Sequence, residues 1–328
     1  MGDPAGVGLE IAARAWAQRG ASTPPFFLIA DIDAARRAAK RANIELRAET
    51  IVAPATANTL FAEALPVLTS PLAEAETPGV SSVANAPAII AAIENGVAFA
   101  RSGEASAIVT LPIAKATLYA AGFRHPGHTE FVAHLSADMP HDGPRGPVMM
   151  LAAPGLRVAL ATIHTALADA PALLTRHTVE QTARVVLDAL KRDFGVAKPR
   201  LALAALNPHA GEGGALGREE IDVINPVAQK LRAEGFDVSD ARPGDTLFHA
   251  EARAGYDAVI AMYHDQGLIP IKTLDFWGAT NLTLGLPIVR TSPDHGAGFD
   301  IAGKGVADIR SLVAALGMAA DIARRRAR

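Results

Sequence analysis

Short apolar runs alternate along this chain with longer segments in which apolar residues recur every three or four positions. The runs at residues 26–30, 107–111 and 148–151 are rich in Val, Ile, Leu, Met and Phe, so they predict strands. The helical spacing predicts helices at residues 8–19, 33–42, 86–101, 178–193, 219–234 and 306–325. Because the strand runs are apolar almost throughout, we expect both of their faces to be buried, which predicts a layered α/β fold.

Three further apolar runs each lead into a histidine. Residues 157–163 precede His164, residues 200–206 continue through an Asn-Pro pair to His209, and residues 257–263 precede His264. If these runs are strands of one parallel sheet, their C-terminal ends share the edge at which ligands bind. Three imidazoles with an open fourth position form a common catalytic metal site. The pattern therefore predicts a metal site, and the alternative is that each histidine has a separate structural role.

Turn residues add local predictions. Pro154-Gly155 separates the run at 148–151 from the run that starts at Arg157, which predicts an antiparallel hairpin. Residues 71–86 are rich in Pro, Ser, Glu and Gly, so they predict an irregular connection. The polar, Gly-containing segments at His209 and His264 are also predicted to be loops.

Length and composition narrow the class of protein. A chain of 328 residues is long enough for two domains. The net charge of −3 predicts neither nucleic-acid nor acidic-membrane binding, and no apolar run has the length expected of a membrane span. The absence of cysteine excludes disulfides, zinc–thiolate sites, iron–sulfur clusters and a cysteine nucleophile. With no signal peptide recognised, these features predict a cytoplasmic protein.

Two groups of polar residues suit an anionic ligand. His128 and Thr129 follow Gly127 at the start of an amphipathic segment, where a helix N-terminus would attract an anion. Thr129 as a simple helix cap is the alternative. Lys272, Asn281 and Arg290 follow His264 at intervals of eight or nine residues and offer the charges and amide donors that phosphate or carboxylate recognition requires.

The common nucleotide fingerprints are absent. No G-x-G-x-x-G follows a predicted strand, and no G-x-x-x-x-G-K-[ST] occurs, which argues against a Rossmann site and excludes a P-loop. Residues 294–305 instead form a Gly-rich segment before the last predicted helix. It is predicted to be either a flexible connection or a loop whose backbone closely approaches a nucleotide.

Several motifs together resemble the 4-hydroxythreonine-4-phosphate dehydrogenase family of pyridoxal phosphate biosynthesis. They occur in order along the chain at residues 2–6, 127–131, 206–212, 262–267, 281–287 and 290–296. The resemblance implies a two-domain α/β fold similar to that of isocitrate and isopropylmalate dehydrogenases, with the active site in the interdomain cleft. It implies one discontinuous domain of residues 1–122 and 277–328, and a second domain of residues 123–276 that carries the metal histidines and the dimer interface.

The resemblance also assigns roles to individual residues. It implies metal binding by His164, His209 and His264, and substrate binding by His128, Thr129, Lys272, Asn281 and Arg290. The cofactor would be NAD or NADP, held by Asp294, His295, Gly296 and Asp300, with one divalent ion (zinc, magnesium or cobalt) in each site. Asp265 and Lys115 are the candidates for proton transfer. The family is homodimeric and the metal is shared by residues of both chains.

The implied reaction is oxidation of 4-phosphooxy-L-threonine to 2-amino-3-oxo-4-phosphooxybutanoate, which decarboxylates to 3-amino-2-oxopropyl phosphate. The alternatives are a dehydrogenase of another phosphorylated hydroxy acid, such as a phosphoerythronate, and a three-histidine zinc hydrolase. The hydrolase would leave the Gly-rich segment at 294–305 without a role.

Overall fold

The computed structural model describes residues 1–327, which divide into two units. Unit 1 comprises residues 1–139 and 287–321, and unit 2 comprises residues 140–286 and the described residues from 322 on. The predicted boundaries, after residues 122 and 276, differ from these. The helix at His128–Leu135 belongs to unit 1 because it packs on the long helix Ala86–Ser102 and because Arg101 pairs with Asp138 just beyond it. Residues 277–286 belong to unit 2 because their strand pairs there.

The elements follow one another in three stretches of chain. The first stretch of unit 1 contains α1 (Gly8–Ala17), β1 (Leu28–Ala30), α2 (Ile32–Arg41), β2 (Ala48–Ile51), α3 (Ala57–Leu60), β3 (Leu65–Thr69), α4 (Ala86–Ser102), β4 (Ile108–Val109), α5 (Lys115–Ala120) and α6 (His128–Leu135). Unit 2 contains β5 (Val148–Ala153), β6 (Leu156–Leu160), α7 (Ala170–Leu173), α8 (Arg176–Arg192), β7 (Arg200–Ala204), α9 (Asn225–Ala233), β8 (Asp237–Arg242), α10 (Ala250–Arg253), β9 (Ala258–Ala261), α11 (His264–Leu274) and β10 (Thr280–Leu284). The chain then forms β11 (Arg290–Pro293) and α12 (Arg310–Arg326).

Unit 1 is built on parallel strand pairs. Its sheet has the order β1-β3-β2, and β11 pairs in parallel with β4. The core includes the fully buried side chains of Leu9, Ile11 and Leu65. The Asp31 carboxylate accepts a hydrogen bond from the Ala34 amide at 2.8 Å, which explains why α2 begins at this point.

One helix of the described residues, at 83–102, is long and apolar enough to cross a membrane. Its buried face carries Ile89, Ile93 and Val97, and it packs on β1 and β4 of unit 1. Buried core helices of soluble proteins have the same length and apolar composition, so these two properties are weak evidence for a membrane span.

Unit 2 contains strands in the order β10-β5-β6-β9-β7-β8. β5 and β6 form the predicted antiparallel hairpin, and β6, β9, β7 and β8 are parallel. Helix α11 packs against β6 at Gly267, where an added Cβ would lie 2.6 Å from Leu160 Cδ2. No larger residue fits this contact without displacing the helix or the strand.

Some local predictions were wrong. The segment after His264 is not a loop, because Tyr263 is extended and α11 begins at His264 itself. The helix predicted at 219–234 is divided into a π-helical turn, Glu220–Ile224, and α9. Thr129 is not a cap, since the N-cap position of α6 is Gly127. Strands β2 and β3 were missed, and the last helix begins at Arg310 rather than at Val306.

Candidate functional site

The three histidine-bearing runs are neighbouring parallel strands of unit 2, as predicted. β9 lies between β6 and β7, with Leu160 opposite Ala261 and Leu203 opposite Ile260. The C-terminal ends of the three strands therefore share one edge of the sheet.

Two of the three imidazoles come together at this edge. The ring centroids of His164 and His264 lie 5.6 Å apart. His264 Nδ1 and Asp265 Oδ1 are 2.7 Å apart, which fixes the ring orientation when Nδ1 carries the proton and leaves Nε2 as the electron-pair donor. Two adjacent imidazoles have the donor chemistry of a zinc or cobalt site.

His209 does not join this pair to form a three-ligand group. Across residues 1–327 no three His, Asp or Glu side chains converge in a way that would hold a metal ion. The histidine lies in a turn, Pro208–Gly214, in which six consecutive residues from 209 to 214 have positive φ. Its ring is mostly exposed and contacts Glu212 Oε1 at 2.7 Å, which raises the pKa of His209. Within one chain, the shared edge of the sheet therefore brings together two of the three imidazoles.

Two carboxylates, the buried Glu220 and the half-buried Glu219, hold the start of this left-handed turn. Glu220 is almost fully buried and accepts hydrogen bonds from the Asn207 amide at 2.8 Å and from Asn207 Nδ2 at 3.0 Å. Glu219 accepts a third bond from the same side chain at 2.7 Å. A backbone with positive φ is unfavourable for residues that have a Cβ, so the turn requires hydrogen bonds such as those from Asn207 to Glu219 and Glu220 to hold it in place.

In unit 1 a buried cationic group forms around Arg290. The residue is only 4% exposed, and its Nε and Nη2 donate to Thr110 Oγ1 at 3.2 and 2.7 Å. Burial lowers the pKa of Arg290 to about 10, and the charge of Glu130 opposes this change. Burial, followed by the positive charge of Arg290, lowers the pKa of His128 well below its ordinary value. A neutral imidazole and a buried guanidinium together suit a phosphate or carboxylate group.

The loop before α6 brings Lys115 to the same region. A Cβ on Gly127 would lie 3.4 Å from Lys115 Nζ and 3.5 Å from Glu130 Oε2, so this amine and this carboxylate line the approach to the helix N-terminus. Thr129, half-buried, follows in the first turn of α6. The structure thus places His128, Thr129, Arg290 and Lys115 in unit 1.

Lys272 and Asn281, the other predicted substrate ligands, lie in unit 2. Lys272 is in the last turn of α11, with Nζ 5.1 Å from the centroid of the Phe276 ring. Asn281 lies on β10 opposite Leu151, and its buried Oδ1 has no hydrogen-bond partner among the described residues. A buried acceptor of this kind is satisfied by a ligand or by water.

The Gly-rich segment at 294–305 folds over the start of α1 in unit 1. The Val7 amide donates to the Ala297 carbonyl at 2.8 Å, and Arg14 Nη2 donates to the Gly305 carbonyl at 2.8 Å. Asp294 is half-buried, whereas His295, Gly296 and Asp300 are exposed. An anchored loop with exposed glycine backbone and polar side chains fits the close approach of a nucleotide.

The sequence matches one family over most of its length. A sequence model of the family described as "Pyridoxal phosphate biosynthetic protein PdxA" matches residues 22–319. The chain belongs to this family.

Close relatives of this PdxA family member share a single name. A protein of Caulobacter vibrioides named 4-hydroxythreonine-4-phosphate dehydrogenase is 57% identical over 325 residues, which cover 99% of this chain and 96% of the relative. A protein of Maricaulis maris with the same name is 56% identical over 332 residues, covering 100% of this chain and 97% of the relative.

Solved structures extend the comparison beyond a single activity. The crystal structure of 4-hydroxythreonine-4-phosphate dehydrogenase from Klebsiella pneumoniae matches with a TM-score of 0.84 and 36% identity, covering 98% of each chain. A terephthalate 1,2-cis-dihydrodiol dehydrogenase from Burkholderia xenovorans matches with a TM-score of 0.60 and 35% identity, covering 95% of this chain and 93% of that one.

Sequence reasoning missed three polar residues of this PdxA family member. Thr110 was a polar residue within an apolar predicted strand, which was its one signal. Glu220 appeared as an ordinary residue of a helical pattern, although it is almost fully buried. Gln266 belongs to a motif already recognised at residues 262–267, but one of its partners, the Ala205 carbonyl, is 61 positions away in sequence.

Proposed function

We propose that this protein oxidises 4-phosphooxy-L-threonine with NAD or NADP as hydride acceptor, in pyridoxal phosphate biosynthesis. The product, 2-amino-3-oxo-4-phosphooxybutanoate, is a β-keto acid and loses CO2 to give 3-amino-2-oxopropyl phosphate. Family membership and the shared name of the two relatives described above support the reaction. The observation that carries it at the site is the buried Arg290 guanidinium, whose charge is stabilised by an anionic group of the substrate.

Substrate binding is assigned to five side chains. Arg290, His128 and Thr129 lie in unit 1, and Lys272 and Asn281 lie in unit 2. Arg290 supplies a planar pair of donors for phosphate or carboxylate, whereas Asn281 Oδ1, which has no partner among the described residues, is an acceptor and suits the ammonium or a hydroxyl group of the substrate. Neutral His128 donates or accepts one hydrogen bond without adding charge.

A divalent cation would be held by His164 and His264 of one chain, with His209 supplied by a second copy. Two adjacent imidazoles within one chain, and an exposed third imidazole on a rigid turn, fit this division. When bound there, the cation acts as a Lewis acid toward the hydroxyl that is oxidised. Imidazole donors favour zinc or cobalt over magnesium.

Proton transfer is assigned between two candidates. The Asp265 carboxylate already contacts His264 Nδ1, so its role is to orient that ring. Lys115 lies beside Gly127, near the proposed anion-binding group, and is the residue we assign to proton transfer. The nucleotide would be held by Asp294, His295, Gly296 and Asp300.

The proposed dimer is supported by exposed apolar side chains of unit 2. Ile269, Phe276 and Trp277 are 63%, 59% and 49% exposed in a single chain. Large exposed apolar residues of this kind mark interaction surfaces. We propose that a second copy packs on this surface and supplies His209 to the partner's histidine pair. We further propose that the protein acts in the cytoplasm.

The test is NADH or NADPH formation at 340 nm with 4-phosphooxy-L-threonine, with and without a chelator. We expect turnover with this substrate, loss of turnover in the chelator and recovery when zinc or cobalt is added. A phosphoerythronate and a cis-dihydrodiol serve as comparison substrates, because one solved relative is named for a dihydrodiol. A higher kcat/KM for either comparison substrate would contradict the assigned substrate, and metal-dependent hydrolysis without nucleotide reduction would contradict the reaction class.

A further inference from the structure

The three histidines lie beyond the regular hydrogen bonding of their strands. The last backbone bond between β6 and β9 joins the Ala161 amide to the Ala261 carbonyl at 2.9 Å. His164 and His264 follow this bond, and His209 follows the end of β7. Their relative positions therefore depend on contacts other than the sheet ladder.

Two side chains join the three strand ends to one another. Thr162 Oγ1 donates to the Met262 carbonyl at 2.7 Å, which links the segment before His164 to the segment before His264. Gln266 Oε1 accepts from the Met262 amide at 2.7 Å, and Gln266 Nε2 donates to the Ala205 carbonyl at 2.6 Å. Both backbone groups of Met262 are thus bonded by side chains, and the amide of Gln266 spans from the end of β9 to the end of β7.

Gln266 lies close to His264 in the chain, so its hydrogen bonds act on the position of that imidazole. It is the third residue of α11, and His264 is the first. Close packing of Gly267 on the Leu160 and Val158 side chains of β6 holds the next residue of the helix against the sheet. Gln266 therefore fixes the start of α11, with His264, at the ends of β9 and β7.

We infer that Gln266 and Thr162 are positioning residues for the pair of imidazoles that one chain contributes to the metal site. Thr162 sets the spacing of the strand ends that carry His164 and His264, and Gln266 holds the start of α11, which carries His264, on the neighbouring strand ends. This inference rests on the proposed function, since it takes these histidines as metal ligands. It adds that metal affinity depends on a bridging amide and a hydroxyl that themselves contact no metal. Residues that orient metal ligands in this way typically contribute a factor of about 10 to 100 to affinity.

The experiment measures Co²⁺ affinity by titration of the full-length protein, using the visible absorption of the bound ion. Gln266→Met removes both hydrogen bonds of the side-chain amide, and Thr162→Val removes the hydroxyl that donates to the Met262 carbonyl. Thr162→Ser retains the hydroxyl and is the conservative rescue. Gln181→Met is the matched control, because Gln181 Nε2 donates to the Arg145 carbonyl at 2.6 Å elsewhere in unit 2.

We expect the Co²⁺ Kd to rise about tenfold or more in Gln266→Met and Thr162→Val, and to change less than about twofold in Thr162→Ser and Gln181→Met. A folded Thr162→Val or Gln266→Met protein with wild-type Kd would overturn the inference, even if its thermal stability is lower, since that result describes a purely structural role. The metal-dependent function would still stand in that case. Wild-type protein that binds no Co²⁺ would instead contradict the proposed metal dependence, and the inference with it.

Discussion

The buried Arg290 predicts an opposition between stability and activity. Burial lowers its pKa from 12.5 to about 10. At about 1.4 kcal/mol for each pKa unit, this shift corresponds to a cost of about 3 kcal/mol to the folded protein for keeping the charge buried. This cost applies to the folded protein, in which Arg290 already donates two hydrogen bonds to Thr110.

Replacement of Arg290 by Met removes the charge and retains much of the apolar volume. We expect the free energy of unfolding of the ligand-free protein to rise by roughly 1–3 kcal/mol, the lower end applying if Thr110 is left without a partner. We expect kcat/KM to fall by about 100-fold, because a charge-assisted hydrogen bond to the substrate contributes roughly 3 kcal/mol.

Urea unfolding and the 340 nm assay measure the two effects separately. Arg290→Lys is the control, since it keeps the charge but loses the planar pair of donors. We expect this variant to lose activity without gaining stability. Inorganic phosphate provides a third measurement, because it should raise the Tm of the wild type more than that of Arg290→Met. A Met variant that is no more stable than the wild type and retains wild-type kcat/KM would refute the reasoning.

Three further predictions concern other parts of the molecule. Because the pKa of His128 is lowered in the folded state, unfolding takes up a proton below about pH 6.5, so the free energy of unfolding should decrease as the pH falls through that region. In urea titrations at pH 5 to 7, His128→Asn should show a shallower decrease than the wild type. An equal dependence of unfolding free energy on pH in the two proteins would show that His128 is not its source. If the metal site is shared, mixing inactive His209→Ala and His264→Ala dimers under subunit exchange should restore about a quarter of wild-type activity. Half of the dimers formed at random contain one subunit of each variant, and each of these has one intact site out of two. No recovery of activity after verified exchange would place the site within one chain. Gly267→Ala should destabilise the protein by about 1–3 kcal/mol in thermal unfolding, because the added Cβ would collide with Leu160. Gly317→Ala in α12, where the added Cβ would have nothing within 4 Å, should be neutral or stabilising. Equal effects of the two substitutions would contradict the close contact at Gly267.

Much of the secondary structure follows from the sequence because its causes are local. The helix at Ala86–Ser102 and the hairpin of β5 and β6 lie where apolar spacing and Pro-Gly turn residues place them. The parallel order of the histidine-bearing strands also agrees with their near-continuous apolar character. Local signals failed at His264, where the residues that read as a polar loop instead start a helix.

The sequence by itself determined the α/β class, the family, and the placement of the three histidines just beyond the strands. Tertiary structure alone decided which groups meet. It pairs His164 with His264 but not with His209, and it brings Thr110 to Arg290 across 180 positions of sequence. The physical reason is range: periodicity and turn chemistry act over a few residues, whereas a bridging amide such as Gln266 acts between chain segments that only the packed sheet brings within hydrogen-bonding distance.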